Sequence, residues 1–297
     1  MNSKIINWFL FVVLCLIWGS SFELMKLGMF ENHDLSKPVL SPYQVASIRI
    51  FSAGIVMLPF AFKALKSIPK NLLQYIILSG LIGSFIPAFL FCIAETKIGG
   101  GIAGSLNSLT PLFVILVGAL FFNLVTNSRK IVGVLIGLMG SVFLIYANSK
   151  DQHINHFLYI GFVILATVLY GFNVNMVVKK LTAVPSIQIA AIAFSFLIIP
   201  SLIILYFTGY FSLSLFESKY ILATSASSIL GILATAIASI LFYSLMKKAG
   251  GLFASTVTYG IPFVAIGWGL LNGEHITILH VIGLIIILCG VYLANKN

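Results

Sequence analysis

Long apolar runs separated by short polar segments make up most of this chain. A run of roughly 20 apolar residues is long enough to cross a lipid bilayer as a helix. Ten such runs predict helices over 6–29, 43–62, 72–94, 100–122, 131–147, 157–178, 186–207, 220–246, 251–271 and 276–294. The pattern therefore predicts an all-α membrane protein with ten transmembrane helices.

Polar residues within the runs repeat at a constant offset. Pro111 is matched by Pro262, and Thr126 is matched by Thr277, in both cases 151 residues later. A repeat of this length indicates two copies of one structural unit. Because each copy contains five spans, an odd number, the second copy must cross the membrane in the opposite sense to the first.

We therefore expect residues 1–149 and 150–297 to form two inverted five-helix repeats. Transporters built from inverted repeats bind their substrates near the middle of the membrane, at the interface between the repeats. The polar segments that the two copies share are the place to search for a site.

Composition agrees with a chain that is surrounded mainly by lipid. Apolar residues make up 60% of the chain and charged residues only 8%, and the mean hydropathy is +1.11. A soluble globular domain carries about 25% charged residues. These values exclude an ordinary soluble domain.

The net charge of +10 follows the positive-inside rule and does not indicate a nucleic-acid partner. With the N-terminus placed inside, 11 of the 17 basic residues fall on the inner side and 4 on the outer side. The acidic residues predicted on the outer side are Glu31, Asp34, Glu95, Asp151, Glu217 and Glu274. This asymmetry predicts a multi-pass inner-membrane protein with both termini in the cytoplasm.

Two prolines in the middle of predicted helices mark candidate kinks. Pro111 and Pro262 lack an N–H group and free the carbonyls of Asn107 and Thr258, four residues earlier. One interpretation is that two polar, kinked helices face each other across a site at the membrane midplane. The alternative is that nearby Ser and Thr residues repair the kinks and pack the helices closely. We favour the first for the pair of segments.

The polar and aromatic residues of the repeated segments form the candidate substrate cavity. We assign to it Trp18, Ser21, Asn107, Thr110, Tyr170, Asn173, Thr258 and Tyr259. Trp18 and Tyr170 occupy equivalent positions in the two copies and offer flat walls with a polar edge to a small solute. A role as helix-packing anchors explains the two rings equally well.

Three ionisable residues fall within predicted spans, where such groups are costly and indicate function. Glu23 and Lys26 lie three residues apart on one helix face and could pair. Glu23 is a candidate for proton coupling or for binding a substrate amine, or it only neutralises Lys26 or Arg49. For Arg49 the sequence favours a structural counter-charge over a carboxylate ligand.

Catalysis finds no support in the sequence. Glu23 is the only carboxylate predicted deep in the membrane, so the paired acids of an intramembrane enzyme are missing. No P-loop, HExxH or GxSxG motif is present, and neither His nor Cys shows metal-ligand spacing. We predict no enzyme activity, no cofactor and no metal site.

Several motifs together resemble the EamA family of the drug/metabolite transporter superfamily. They are WGSSF at 18–22, GGGIAGSLNSLTPLF at 99–113, and Pro262 followed by NGE at 272–274. The resemblance implies ten helices, a cavity lined by the first, third, fourth, sixth, eighth and ninth of them, and export of small metabolites such as amino acids. One departure is Asn123, where the family usually carries Glu. The ninth helix also lacks the basic residues of sugar-phosphate carriers, which argues against phosphorylated substrates.

The sequence thus predicts a secondary transporter that exports a small molecule by alternating access around a midplane cavity. Its expected partners are this substrate, the lipid bilayer and protons, and the sequence leaves its oligomeric state open. The alternative of a different kind is a flippase for a lipid carrier on the same architecture, which needs an opening between helices towards the lipid.

Overall fold

The computed structural model describes residues 3–125, 127–149, 157–271 and 278–295. Ten main helices run through these ranges. They are α1 (Ser3–Met29), α2 (Pro42–Ser67), α3 (Lys70–Glu95), α4 (Gly100–Phe122), α5 (Ser128–Ser149), α6 (Phe157–Lys180), α7 (Ser186–Phe207), α8 (Ser218–Ala249), α9 (Gly251–Leu271) and α10 (Ile278–Asn295). Short 3-10 helices form at Glu31–His33 and Tyr210–Ser212.

The predicted all-helical fold is confirmed over the described ranges, where no strand forms. Eight of the described helices, all except α5 and α10, are long and apolar enough to cross a membrane. Crossing by α5 and α10 stays a prediction. The proposed boundary between the two repeats and the repeated residues Thr126 and Thr277 lie outside the described residues, so the division at 149/150 is likewise a prediction.

Glycines bring α5 and α10 together along their length. A Cβ atom on Gly140 would lie 2.7 Å from the carbonyl oxygen of Gly283, and one on Gly290 would overlap the backbone of Gly137. Small residues of this kind let two helix backbones approach closely in a membrane, where close packing holds helices together. Gly140 and Gly290 therefore have a packing role.

A folded loop joins α1 to α2 at the end of the bundle that we call the Met29 end, where α1 ends, α2 begins and α3 ends. Phe30 and Leu40 are buried beneath this loop. Ser36 donates hydrogen bonds from its hydroxyl and its backbone N–H to Asp34 (2.7 and 2.9 Å), and these bonds hold the pKa of the Asp34 carboxyl below its usual range. The loop covers the Met29 end of α1.

Besides α7, which is broken by a turn at Leu197, four of the described helices depart from regular α geometry in the middle of the bundle. The segment Leu81–Phe85 of α3 and the segment Leu230–Ile237 of α8 are wound as π-helix, and these are the helices that the repeat makes equivalent. In α4 the break lies at Ser108–Leu109, and in α9 a 3-10 turn spans Thr256–Tyr259. Pro111 and Pro262 predict the breaks in α4 and α9, whereas the π segments were not predicted.

Candidate functional site

A central cavity of about 80 Å³ lies where these irregular segments meet. Seven helices line it: α1, α2, α3, α4, α6, α8 and α9. The structure brings together most of the predicted site residues in this lining, namely Trp18, Ser21, Arg49, Asn107, Thr110, Tyr170, Asn173 and Thr258. The resemblance to the transporter family implied six of the seven helices, and α2 joins them through Arg49.

Tyr259 is the predicted cavity residue that the structure places elsewhere. Its side chain is buried, and its hydroxyl donates a hydrogen bond to the carbonyl oxygen of Val134 at 3.0 Å. The ring packs beside Gly137 of α5. Because Thr258 and Tyr259 are neighbours in a 3-10 turn, their side chains point in different directions, and only that of Thr258 reaches the cavity lining.

The carbonyls freed by the two prolines are bound by hydroxyl groups. Thr110 donates from its Oγ1 to the carbonyl oxygen of Asn107 at 2.7 Å. Ser108 donates from its Oγ to the carbonyl oxygen of Thr258 at 3.1 Å, which joins α4 to α9. The repair of kinks by Ser and Thr therefore accounts for the carbonyls, while the side chains of Asn107 and Thr258 line the cavity.

This repair predicts a coupling between Ser108 and Pro262. Ser108→Ala should lower the free energy of unfolding by about 1 kcal/mol, because it leaves the Thr258 carbonyl without its donor. In a Pro262→Ala background the restored backbone N–H of residue 262 can bind the same carbonyl. In that background Ser108→Ala should lower the free energy of unfolding by less than half as much. Thermal unfolding of the four proteins of this double-mutant cycle measures the difference, and equal costs in both backgrounds would contradict the repair.

Two pairs of aromatic rings form part of the cavity wall. The indole Nε1 of Trp18 donates to the carbonyl oxygen of Ala234 at 3.0 Å, and the Trp18 ring meets Phe242 edge-on with centroids 5.0 Å apart. Tyr170 stacks against Phe91 with centroids 6.3 Å apart. The hydrogen bond and ring contacts hold Trp18 in a fixed orientation, so wall and packing roles are combined in this residue.

A polar cluster joins three helices beside the cavity. Ser79 of α3 donates to Oδ1 of Asn173 on α6 at 2.7 Å, and its Oγ lies 3.1 Å from the hydroxyl of Tyr243 on α8. Asn173 and Tyr243 both line the cavity. The sequence identified Asn173 but not Ser79 or Tyr243, which lie 94 and 70 residues away from it along the chain.

Arg49 is the one charged side chain that lines the cavity within the described part of the chain. Its Nε donates to Oγ1 of Thr235 at 2.6 Å, and its Nη1 lies 3.9 Å from the sulfur of Met25. Thr235 belongs to the π segment of α8. The guanidinium is thus anchored on one edge, and its remaining N–H groups are available to an anionic group in the cavity.

Arg49 sits where α2 and α8 approach closely. A Cβ atom on Gly231 of α8 would overlap the backbone carbonyl oxygen of Arg49. Glycine at this position therefore allows the contact that brings Thr235 within reach of the Arg49 side chain.

The other two ionisable residues of the predicted spans lie outside the cavity lining, towards the Met29 end. Oε1 of Glu23 lies 2.5 Å from Nε2 of His33 in the loop after α1. The contact could not be found from the sequence, because the spacing of His33 from Glu23 carries no recognisable motif. Lys26 is partly buried on the same helix.

Glu95, which the sequence places on the outer side just beyond the third span, is part of α3. Glu95 ends α3 and is only 2% exposed, because this end of α3 packs against α2. The sequence analysis singled out Glu23 as the carboxylate deep in the membrane and did not anticipate that the Glu95 side chain is buried among the described helices. The helical spacing of the sequence carries a signal for the burial of Glu95, since Glu95 lies on the same helix face as the buried residues Phe91 and Cys92.

Within the described ranges, no group of three or more His, Cys, Asp or Glu residues could hold a metal ion. The predicted acid Glu274 lies outside those ranges. What the cavity offers is one fixed cation, amide and hydroxyl groups, and aromatic walls.

Comparison with known families places the sequence in a transporter family. The sequence model of the EamA-like transporter family matches residues 6–146 and again residues 157–296. The two matches together cover most of the chain.

The curated relatives share about a quarter of their residues with this chain. A protein of Escherichia coli strain K12 named "Probable amino-acid metabolite efflux pump" is 25% identical over 90% of this chain and 78% of its own length. A Salmonella typhimurium protein of the same name is 26% identical, but the match spans 49% of this chain and 45% of that protein. An uncharacterized transporter of Archaeoglobus fulgidus is 24% identical over 98% of this chain and 99% of its own.

The fold also occurs among solved structures. One crystal structure of a protein covers 99% of this chain and 96% of its own, with a TM-score of 0.71 and 17% sequence identity. At this identity the likeness shows a shared fold.

Proposed function

Because the chain belongs to the EamA-like transporter family, we propose that this multi-pass membrane transporter exports small carboxylate-bearing metabolites such as amino acids through the central cavity. One observation carries the substrate class: Arg49 is the charged residue of the cavity lining in the described chain. Membership of a transporter family also argues against an enzyme.

The cavity suits a small zwitterion in its other features. A guanidinium binds a carboxylate through two parallel N–H···O bonds, which fix the orientation of the bound group. Asn107, Thr110 and Asn173 supply polar partners for the rest of the molecule, and Trp18 and Tyr170 offer apolar surface to a side chain. The position of Arg49 in the lining supports a carboxylate ligand over the counter-charge role that the sequence alone favoured.

The proposed mechanism is alternating access. Ten spans in two inverted repeats rock around the cavity, with both termini in the cytoplasm, so that the cavity opens to one side of the membrane at a time. Support comes from the distribution of basic residues and from the equivalent positions of the irregular segments in α3 and α8. Such segments supply local flexibility in otherwise rigid helices.

Counterflow in proteoliposomes tests this function directly. Purified protein is reconstituted into vesicles loaded with one unlabelled amino acid, and uptake of the same radiolabelled amino acid is followed for a panel covering the twenty common amino acids. We expect counterflow above that of protein-free vesicles for at least one of them. No counterflow for any member, together with movement of a fluorescent lipid-linked substrate between leaflets, would support the flippase instead.

A further inference from the structure

The carboxyl of Glu95 is buried and finds no hydrogen-bond partner in the part of the chain that the structure describes. Both carboxylate oxygens are inaccessible to solvent, and neither has a hydrogen-bond partner among the described residues. The side chain is 2% exposed. An ionised carboxylate in such a place loses its hydration without compensation, so a group of this kind is held in its neutral form.

Charged side chains surround Glu95 without touching it. Those that act on it are Lys26 and Glu23 of α1 and Arg49 of α2, and none of them comes within 4.0 Å as an ion pair in the described structure. Glu23 is occupied by His33. The two nearby cations would stabilise an ionised Glu95 once a helix movement or water brought them into contact.

Glu95 therefore has two states that depend on the conformation of the protein. In the conformation described here the neutral, protonated carboxyl fits the site. In a conformation where Lys26 or Arg49 binds the group, or where water enters, the ionised carboxylate fits. A residue of this kind releases and takes up a proton as the protein moves between two conformations.

The position of Glu95 connects it to the cavity. It lies one helical turn beyond Phe91, which lines the cavity. Arg49 connects the two, since it lines the cavity and its positive charge interacts with Glu95. We propose that Glu95 is the proton-binding site of this transporter and that Arg49 couples its protonation to occupancy of the cavity. The coupling to substrate rests on the proposed function, whereas proton binding at Glu95 does not.

The sign of the coupling follows from charge balance. A substrate carboxylate bound to Arg49 uses the positive charge that would otherwise stabilise an ionised Glu95. Substrate binding and protonation of Glu95 therefore favour each other, so the amino acid and one proton cross the membrane together. Export is then driven by the outward gradient of the amino acid and not by an inward proton gradient. For coupling to one proton, affinity should rise by up to about tenfold for each unit by which the pH falls.

Infrared spectroscopy tests the proton site without a substrate. Wild-type protein in lipid vesicles is titrated with acid and base, and the carbonyl stretch of protonated carboxylic acids is recorded. We expect Glu95→Gln to remove one component of this band, and Glu217→Gln, at an exposed acid that pairs with Lys219, to leave that component in place. An unchanged band in Glu95→Gln would overturn the proposal.

Transport at different pH values tests the coupling. Vesicles containing a pH-sensitive dye receive whichever amino acid gives counterflow. Wild type and Glu95→Asp, which keeps a carboxyl group, should acidify the lumen as the amino acid enters, and alkalinisation would contradict co-transport. Glu95→Gln should keep counterflow but show no proton movement and no change of affinity with pH.

If Glu95→Gln moved protons as the wild type does, this result would overturn the proposal that Glu95 couples proton movement to transport. If the wild type itself gave no counterflow, the proposed function would fail while the infrared result still decided whether Glu95 binds a proton. If Glu95→Gln did not fold, a shift of the infrared component in Glu95→Asp would decide the same question.

Discussion

Arg49→Gln reduces amino-acid counterflow by about 100-fold or more. Removing one member of a buried, hydrogen-bonded charge pair costs about 2–5 kcal/mol, and about 2.7 kcal/mol corresponds to a factor of 100 in affinity. The loss should be large because Arg49 is the charged group of the cavity lining. Initial rates of counterflow over a range of concentrations measure it, and the change should appear mainly as weaker apparent affinity.

Lys63→Gln is the matched control for this change. Lys63 lies on the same helix as Arg49, is exposed, and is absent from the cavity lining. The substitution removes one positive charge without changing the site, so counterflow should stay within about twofold of the wild type. Arg49→Lys should lie between the two, because an ammonium keeps the charge but loses the two-pronged geometry. If Arg49→Gln bound the amino acid with the affinity of the wild type, this result would contradict a role of Arg49 in substrate binding.

Gly231→Ala should prevent α8 from packing against α2. The added methyl group would overlap the carbonyl oxygen of Arg49, a backbone atom that cannot rotate away. Overpacking of this kind costs about 1–3 kcal/mol or more, and the displacement would also separate Thr235 from the Arg49 side chain. We expect a clearly lower melting temperature, a lower yield of monodisperse protein, and loss of counterflow in whatever protein folds.

Gly267→Ala is the control for the glycine substitution. A Cβ atom at Gly267 of α9 meets no atom within 4 Å, and alanine is the better helix former. The melting temperature should therefore be equal to or slightly above that of the wild type. If Gly231→Ala had the same melting temperature as Gly267→Ala, this result would contradict the close approach of α2 and α8 at Gly231.

Much of the fold could be predicted because lipid leaves few choices for a polypeptide backbone. Only structures that satisfy their own backbone hydrogen bonds can cross the hydrocarbon layer, so apolar run length translates directly into helices. The predicted spans 100–122, 186–207 and 251–271 coincide with α4, α7 and α9. Proline chemistry is equally local, and it correctly marked the breaks in α4 and α9.

What the sequence did not show depends on contacts between distant segments. The π segments of α3 and α8 contain no proline, and the pair Ser79–Asn173 joins residues 94 positions apart. The burial of Glu95 was not predicted because a charged residue at the end of an apolar run looks exposed, and only the packing of α3 on α2 buries it. Tyr259 was assigned to the cavity because it lies in a repeated polar segment, but not every side chain of such a segment faces the cavity.

Access to Ser239 from both sides of the membrane tests the central claim most directly. Ser239 lines the cavity and is 8% exposed. Ser239→Cys would be made in protein whose Cys15, Cys92 and Cys289 are replaced by alanine, with Ser227→Cys, a buried position on the same helix outside the lining, as the control. A membrane-impermeant thiol reagent is then added to either side of oriented vesicles.

Alternating access through this cavity predicts that the thiol of the Ser239→Cys variant reacts from both sides, that a transported amino acid slows the reaction, and that modification stops counterflow. The thiol of the Ser227→Cys variant should react slowly from either side, with no effect of the amino acid. Reaction of the Ser239→Cys variant from one side only, or full counterflow after its complete modification, would contradict a transport path through the cavity.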